Sequence, residues 1–310
     1  MIIDVNNLVK RYKELIALDH FQLKVEEGEI LGLLGPNGSG KTTAINCMLS
    51  LLNYDKGEIK IFDKVMSPDA YDIKRMIGVV PQNIAVFYEL NVYENIDYFC
   101  GLYVKDKAQR KQLVEDAIDF VNLGEFRKFK PGKLSGGLLR RLNIACGIAH
   151  QPKLIFMDEP TVAVDPQSRN AILEGILQLN KRGATIVYTS HYMEEVEEIC
   201  SRIIIMDKGK TIATGTKDEL KTSITLKEKV EVEQIELSEA QLKAIKEIAN
   251  VSSVEYSHKF LQIKFTGGKQ NLMNLMNYFT QENIVYGKVY SQLPTLNDVF
   301  LEITGKELRD

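Results

Sequence analysis

Short apolar segments alternate with stretches of helical period over the first two thirds of the chain. The predicted strands are MIIDVNNLVKRY, FQLKVEEG, EILGLLG, GEIKIFD, IGVV, KLIFMDEP, ATIVYTS and RIIIMDKG. Helical period appears over about 84–150, and again over NAILEGILQLNKRG at 170–183, which ends at a glycine as many helices do. Strands that alternate with helices predict a mostly parallel sheet with helical cover, hence an α/β fold.

The pattern changes from about residue 226 onward. Strand and helix patterns follow one another in KVEVEQI, LSEAQLKAIKEIA, SVEYSH, FLQIKF, NLMNLMNYFTQE and IVYGKVYS. This β-α-β-β-α-β order is that of the split βαβ, or ferredoxin-like, unit, a small α+β domain. Ser238 and Gln241 have the spacing of a capping box at the start of its first helix. We therefore predict one domain over 1–222, with a helical subdomain at about 84–150, and an accessory domain over 223–310.

Composition narrows the possible functions. The 310 residues are 45% hydrophobic and 26% charged, which fits a soluble protein with buried cores. The net charge of −3 argues against a broad nucleic-acid footprint, so we expect no nucleic-acid partner. Four widely spaced cysteines give no zinc or disulfide framework and favour buried thiols in a reducing compartment. The N-terminus is not that of a signal peptide, and no run approaches the ~18 apolar residues of a spanning helix, so we expect any membrane role to be exerted through a partner.

The sequence GPNGSGKTT, at 35–43, matches the pattern GxxxxGK[ST] between a predicted buried strand and a predicted helix. Its glycines allow backbone N–H groups to surround phosphates, Lys41 reaches the terminal phosphates, and Thr42 offers a hydroxyl to Mg²⁺. The candidate nucleotide-binding residues are Gly35, Pro36, Asn37, Gly38, Ser39, Gly40, Lys41, Thr42 and Thr43.

Two further strand ends are expected to reach the same site. Asp158 ends the apolar strand LIFMD and is a candidate Mg²⁺ ligand, and Glu159 beside it is a candidate general base. His191 follows ATIVYTS, where it could orient the γ-phosphate or the attacking water. The alternatives are a helix-start glutamate without chemistry and a structural histidine. A GTPase is disfavoured because TKDE at 216–219, the segment closest to a guanine-reading NKxD, has Glu219 in place of Asp.

A second anion site is predicted within KLSGGLLRR at 133–141, where Ser135, Gly136 and Gly137 stand at the start of a predicted helix. In combination, GPNGSGKTT, the glutamine of VVPQN, LSGG, LIFMDEP, a VD pair and TSH resemble the ATP-binding cassette (ABC) ATPases in content and order. The resemblance covers about residues 1–220. It implies a P-loop fold with a parallel sheet core, an antiparallel β subdomain and a helical subdomain.

The resemblance also implies why one chain carries two phosphate sites. ABC ATPases dimerise head to tail, with each ATP held between the phosphate loop of one chain and the LSGG segment of the other. By this resemblance Ser135, Gly136 and Gly137 bind the partner's ATP, and Asp165 crosses the interface. Tyr12 would stack on adenine, unless it is an ordinary surface tyrosine. Gln82 would touch Mg²⁺ and the attacking water.

Two positions depart from the common family pattern. Leu138 follows LSGG, where glutamine is frequent, and Ala163 lies in VAVD, where glycine or serine is common. The phosphate contacts belong to residues 135–137, so we expect activity to survive both changes.

The C-terminal segment, ending in PTLNDVFLEITGKELRD, resembles that of bacterial and archaeal drug- and sodium-exporter ATPases. This implies an ATPase that powers export by a separate polytopic permease at the cytoplasmic face of the membrane. Its second nucleotide-binding subunit is either another copy or a sister chain. The alternatives are an importer ATPase and a soluble ABC ATPase without a transport role. Phe87 and Tyr88, in NIAVFYELNVYENI, are either permease contacts or core residues, and the C-terminal domain either stabilises the dimer or senses a small molecule.

Overall fold

The computed structural model describes residues 1–305, which form two compact units. The first covers Met1–Thr216 and the second begins at Lys217. The boundary placed after residue 222 from the sequence thus falls inside a helix of the second unit, Lys217–Ser223. That helix contacts the last helix of the same unit, a pairing too distant in sequence to be visible as a local pattern.

The first unit contains two sheets. Its strands are β1 Ile3–Tyr12, β2 Leu15–Val25, β3 Ile30–Leu34, β4 Lys56–Ile61, β5 Lys64–Val65, β6 Ile77–Val80, β7 Leu154–Asp158, β8 Thr185–Ser190, β9 Arg202–Asp207 and β10 Lys210–Gly215. An antiparallel sheet has the order β2-β1-β4-β5, and a six-stranded sheet has the order β10-β9-β3-β8-β7-β6. In the second sheet only the pairing of β10 with β9 is antiparallel.

The central strands of the six-stranded sheet are largely apolar because neighbouring elements cover them, among them the antiparallel sheet, whose residues share a core with Leu31, Phe156 and Val187. Every residue of β3, β7 and β8 is buried. Their parallel register aligns Leu34 with Ser190 and Asp158 with Thr189 at one edge of the sheet. This edge is where ligands bind in open α/β sheets, and it is where the phosphate loop begins.

The helices of the first unit are α1 Lys41–Met48, α2 Tyr71–Lys74, α3 Val92–Gly101, α4 Lys107–Phe120, α5 Gly136–Ile148, α6 Pro166–Lys181 and α7 Met193–Ile199. Three of them, α3, α4 and α5, lie in the predicted helical segment at about 84–150. Their starts follow the sequence signals, since Asn91, Asp106 and Ser135 each accept a hydrogen bond from a backbone N–H of the first turn.

One strand of the antiparallel sheet begins earlier than predicted. The pattern FQLKVEEG suggested a strand from residue 21, whereas β2 starts at Leu15 and pairs with the end of β1 through Tyr12. Leu15 and Ile16 are exposed apolar residues, so the alternation that usually reveals a strand is missing there.

The second unit has the predicted β-α-β-β-α-β order, with one helix before it and one helix after it. Its elements are α8 Lys217–Ser223, β11 Glu228–Glu233, α9 Glu239–Lys246, β12 Val251–Ser257, β13 Phe260–Phe265, α10 Asn271–Gln281, β14 Val289–Gln292 and α11 Leu296–Thr304. The antiparallel sheet order is β12-β13-β11-β14. Alternate residues such as Val230 and Ile263 pack against Leu275 and Phe279 in a separate core. The capping box of Ser238 and Gln241 is confirmed.

Two expectations drawn from composition can be compared with the structure. All four cysteines are buried free thiols, and burial raises the pKa of Cys47 and Cys100 to about 11. None of the helices within residues 1–305 is long and apolar enough to cross a bilayer.

Candidate nucleotide-binding site

The loop between β3 and α1 has a backbone path that only glycine permits at two positions. Gly40 precedes α1 with a φ of 106°, and a Cβ there would lie 2.6 Å from the Ala17 carbonyl oxygen. A Cβ on Gly35 would lie 2.3 Å from the carbonyl oxygen of Met206. The free N–H groups of the first turn of α1 follow directly, and such groups bind phosphate.

Lys41 is a buried cation at the first position of α1. Its Nζ donates to the carbonyl oxygens of Gly35 at 2.8 Å and Pro36 at 3.2 Å, and lies 3.5 Å from Glu159 Oε1. Burial lowers the pKa of Lys41, and the charge of Glu159 opposes that shift. Phosphate oxygens are better partners for an ammonium group than neutral carbonyls, so the side chain is suited to a nucleotide.

Asp158 joins the phosphate loop to the central strands. Its Oδ2 accepts a hydrogen bond from Thr42 Oγ1 at 2.8 Å, and its Oδ1 accepts one from Thr189 Oγ1 at 2.6 Å. A hydroxyl and a carboxylate this close fit Mg²⁺, which prefers hard oxygen ligands. Within residues 1–305 no group of three His, Cys, Asp or Glu side chains could hold a metal alone. Phosphate and water oxygens would therefore complete the coordination, as they commonly do for Mg²⁺.

Glu159 is the side chain on which the other polar groups converge. Its Oε2 accepts a hydrogen bond from Gln82 Nε2 at 2.8 Å and lies 3.4 Å from Nδ1 of His191. Its backbone N–H donates to Thr189 Oγ1 at 3.0 Å and fixes the residue at a φ of 46°. A carboxylate 5% exposed beside Lys41 and next to Asp158 is placed to take a proton from water at this edge.

A cavity of about 450 Å³ lies in front of the phosphate loop. Its lining includes Tyr12, Asn37, Gly38, Gly40, Lys41, Thr42, Thr43, Gln82 and Glu159. Tyr12 is 44% exposed at the rim, with Lys10 Nζ 4.9 Å from its ring centroid, and an exposed aromatic ring at this place suits stacking on a base. Nine predicted binding residues thus line one cavity, while Gly35, Pro36 and Ser39 complete the loop that carries them.

The LSGG segment lies outside that cavity. Ser135 caps α5 by accepting a hydrogen bond from Leu138 N at 3.3 Å, and both Ser135 and Gly136 are exposed. A Cβ on Gly137 would lie 3.3 Å from Asp165 Oδ2, so the segment is adjacent to Asp165. Asp165 is itself exposed and caps α6, and the hydrogen bonds from Ser168 lower its pKa. One chain therefore presents two separate groups of predicted phosphate-site residues.

Three contributors were missed from the sequence. Thr189 positions both Asp158 and Glu159, as described above. Arg140, 6% exposed, donates to the carbonyl oxygens of Gln82 at 2.7 Å and Val162 at 3.4 Å. Glu195 is a buried carboxylate on α7. A charged residue within an otherwise apolar stretch was the only available signal for Arg140, and nothing local distinguished Glu195 from the neighbouring glutamates.

The chain is similar in sequence to known proteins. A family model described as ABC transporter matches residues 18–162. The chain is 37% identical to the linearmycin resistance ATP-binding protein LnrL of Bacillus subtilis, over 100% of both chains. It is 30% identical to the daunorubicin resistance ATP-binding protein DrrA3 of Streptomyces coeruleorubidus, over 99% of this chain and 97% of that protein.

The fold is also similar to that of solved structures. A dimeric structure of a bacterial ABC transporter cassette covers 69% of this chain, with 27% identity and a TM-score of 0.64. The same cassette was also solved as a dimer in a post-hydrolysis state bound to ADP and Pi, with the same TM-score and coverage.

Proposed function

Because the chain belongs to the ABC transporter family, we propose that it is the ATP-hydrolysing subunit of an exporter that acts with a separate membrane permease. The observation that carries the proposal is the position of Glu159 in one cavity with Gln82 and Lys41, with His191 3.4 Å away. The export role is supported by relatives over almost the whole chain that are named as antibiotic-resistance ATP-binding proteins.

The polar side chains in and beside the cavity have distinct roles in hydrolysis. Lys41 and the N–H groups of α1 hold the β- and γ-phosphates, and Tyr12 stacks on the adenine ring. Glu159 accepts a proton from the attacking water, Gln82 orients that water, and His191 fixes the γ-phosphate. Mg²⁺, held by Thr42, Asp158 and Gln82, would neutralise charge on the phosphates.

A second chain completes the site. Ser135 and Gly136 are exposed at the start of α5, and Gly137 is buried directly behind them. All three lie outside their own chain's cavity, which suits contact with the ATP of a partner. The N-terminus of a helix carries about half a positive charge, and it attracts the negatively charged γ-phosphate. Leu138 does not disturb this arrangement, because its backbone N–H bonds to Ser135 while its side chain is half-buried. Asp165, beside Gly137, reaches the partner chain at the same interface.

An exposed aromatic patch supports the permease contact. Phe87, Tyr88 and Tyr98 are 41%, 52% and 47% exposed, so they are surface rather than core residues. The Phe87 ring packs edge-on against Tyr98 at 4.9 Å and stacks with Phe99 at 5.8 Å, which gives the patch a fixed shape. We infer that this patch receives a cytoplasmic segment of the permease and so holds the chain at the membrane.

The experiment is to isolate the chain from its native membranes in mild detergent, identify its partners and measure its ATPase activity. We expect a polytopic membrane subunit without a solute-binding protein, and activity that Lys41→Ala removes. Tyr88→Glu should release the membrane subunit yet keep ATP binding, whereas Tyr71→Glu, at a tyrosine 65% exposed on α2, should change neither. A co-purifying solute-binding protein would favour an importer, and a ribosomal or DNA partner would overturn the transport role.

A further inference from the structure

Glu195 is a charged residue that is almost completely buried in the first unit. It is 2% exposed on α7, four positions after His191. Its Oε2 accepts hydrogen bonds from three hydroxyls: Tyr188 at 2.7 Å, Thr161 at 2.9 Å and Ser190 at 2.9 Å. A carboxylate can be buried only if donors replace its hydration, so these hydroxyls are needed where they are.

Two of the hydroxyls lie in segments that carry predicted catalytic residues. Thr161 is two residues beyond Glu159, and Ser190 immediately precedes His191. Ser190 Oγ also accepts a hydrogen bond from Tyr192 N at 2.9 Å, which fixes the backbone on the far side of His191. The carboxylate therefore joins the end of β8 and the His191 turn to the segment that follows β7.

Arg169 extends these contacts to the interface side of the chain. Its Nε lies 3.3 Å from Glu195 Oε1, and its guanidinium lies over the Tyr192 ring at 4.7 Å. Arg169 is in the first turn of α6, and its backbone N–H donates to the carbonyl oxygen of Asp165 at 2.9 Å. Asp165, the residue proposed to cross the dimer interface, is thus one helical turn from Arg169, the cation that faces Glu195.

We propose that Glu195 is a positioning residue that holds the His191 turn and the Asp165 loop in one relative arrangement. This proposal rests on the proposed function, because Asp165 contacts the second ATP site only if two chains share the nucleotides. A shift of Asp165 when the partner site fills or empties moves Arg169 and the Thr161 segment, and so moves His191. Glu195 thereby couples the two ATP sites.

The test is Glu195→Gln, which keeps the size of the side chain and removes its charge. Mutations on such connecting residues change coupling by about 0.5–2 kcal/mol, a factor of roughly 2–30. We expect kcat to fall within that range, KM for ATP to stay within twofold, and the Hill coefficient for ATP to fall towards one. Glu194→Gln, at the exposed neighbouring glutamate, should leave all three unchanged. Wild-type cooperativity and kcat in Glu195→Gln would overturn the proposal.

A second pair of variants tests the same link from Arg169, which is partly buried. Arg169→Gln should lower the Hill coefficient as Glu195→Gln does, and Arg169→Lys should restore most of it. In the double variant Glu195→Gln/Arg169→Gln, the loss of kcat should be smaller than the product of the two single losses. Multiplicative losses would indicate independent structural damage and contradict the coupling. Absence of ATPase activity in the wild-type chain would instead refute the proposed function.

Discussion

Replacing Glu159 by glutamine separates ATP binding from hydrolysis and yields two measurable effects. The first is on turnover. A general base contributes roughly 10²–10⁴-fold, or about 3–5 kcal/mol of activation free energy. Glutamine retains an oxygen that can accept the hydrogen bond from Gln82 Nε2, so the geometry of the site should persist while the base is lost. Phosphate release should fall by at least a hundredfold, with ATP affinity maintained.

The second effect is on the stability of the nucleotide-free chain. Lys41 Nζ lies 3.5 Å from Glu159 Oε1, and both side chains are buried. Removing one partner of a buried pair costs about 3–5 kcal/mol. Lys41 keeps its bonds to two carbonyl oxygens, so we expect a smaller loss of about 1–3 kcal/mol and a fall in Tm of a few degrees. Saturating ATP places phosphate oxygens beside Lys41. The Tm of Glu159→Gln should then equal that of the wild type.

The assays are steady-state phosphate release and thermal unfolding with and without ATP, with Glu194→Gln as the exposed control. Turnover within tenfold of wild type would refute the role of Glu159 as general base. A Tm difference that ATP leaves unchanged would refute the charge argument for Lys41.

Three further predictions concern single side chains. Tyr12→Ala should weaken ATP binding by about 1–3 kcal/mol, the value of base stacking on an aromatic ring, while Tyr12→Phe should not; calorimetric titration measures both. Gly35→Ala should abolish ATP binding and lower Tm, because its Cβ would meet the Met206 carbonyl oxygen at 2.3 Å. Burial lowers the pKa of His150, so the unfolded chain binds its proton more readily and the stability that neutral His150 provides is lost on acidification. His150→Gln should therefore lose less Tm than wild type between about pH 7.5 and 5.5.

The parts of the site that could be predicted are those with a local chemical reason. GPNGSGKTT requires glycine at fixed positions of one loop, and Asp158 and His191 follow apolar strands whose ends meet at one edge of the sheet. The alignment of Asp158 with Thr189 bears out that expectation about the strands. Thr189, Arg140 and Glu195 act instead through partners distant in sequence, and a single sequence does not indicate which residues meet.

The same distinction applies to the fold. Buried strands such as β7 and β8, and the capped helices of the inserted segment, follow from apolar runs and capping residues. The start of β2 was misplaced because exposed Leu15 and Ile16 interrupt the alternation. Phe87 and Tyr88 could not be assigned to core or surface, because aromatic residues occur in both and their neighbours in space were not known.

The central claim is that one ATP site is built from two chains. The most direct test is the mass in solution, with Mg²⁺ and ATP, of Glu159→Gln alone and combined with Ser135→Asp or Ser135→Asn. Both substitutions keep a good helix cap, but only aspartate places a negative charge against the partner's γ-phosphate. The account predicts a dimer of twice 35.1 kDa for Glu159→Gln, a monomer with undiminished ATP binding for the Asp combination, and retained dimerisation for the Asn combination. An ATP-induced dimer that Ser135→Asp does not weaken, or a loss of ATP binding in the isolated chain, would contradict the account.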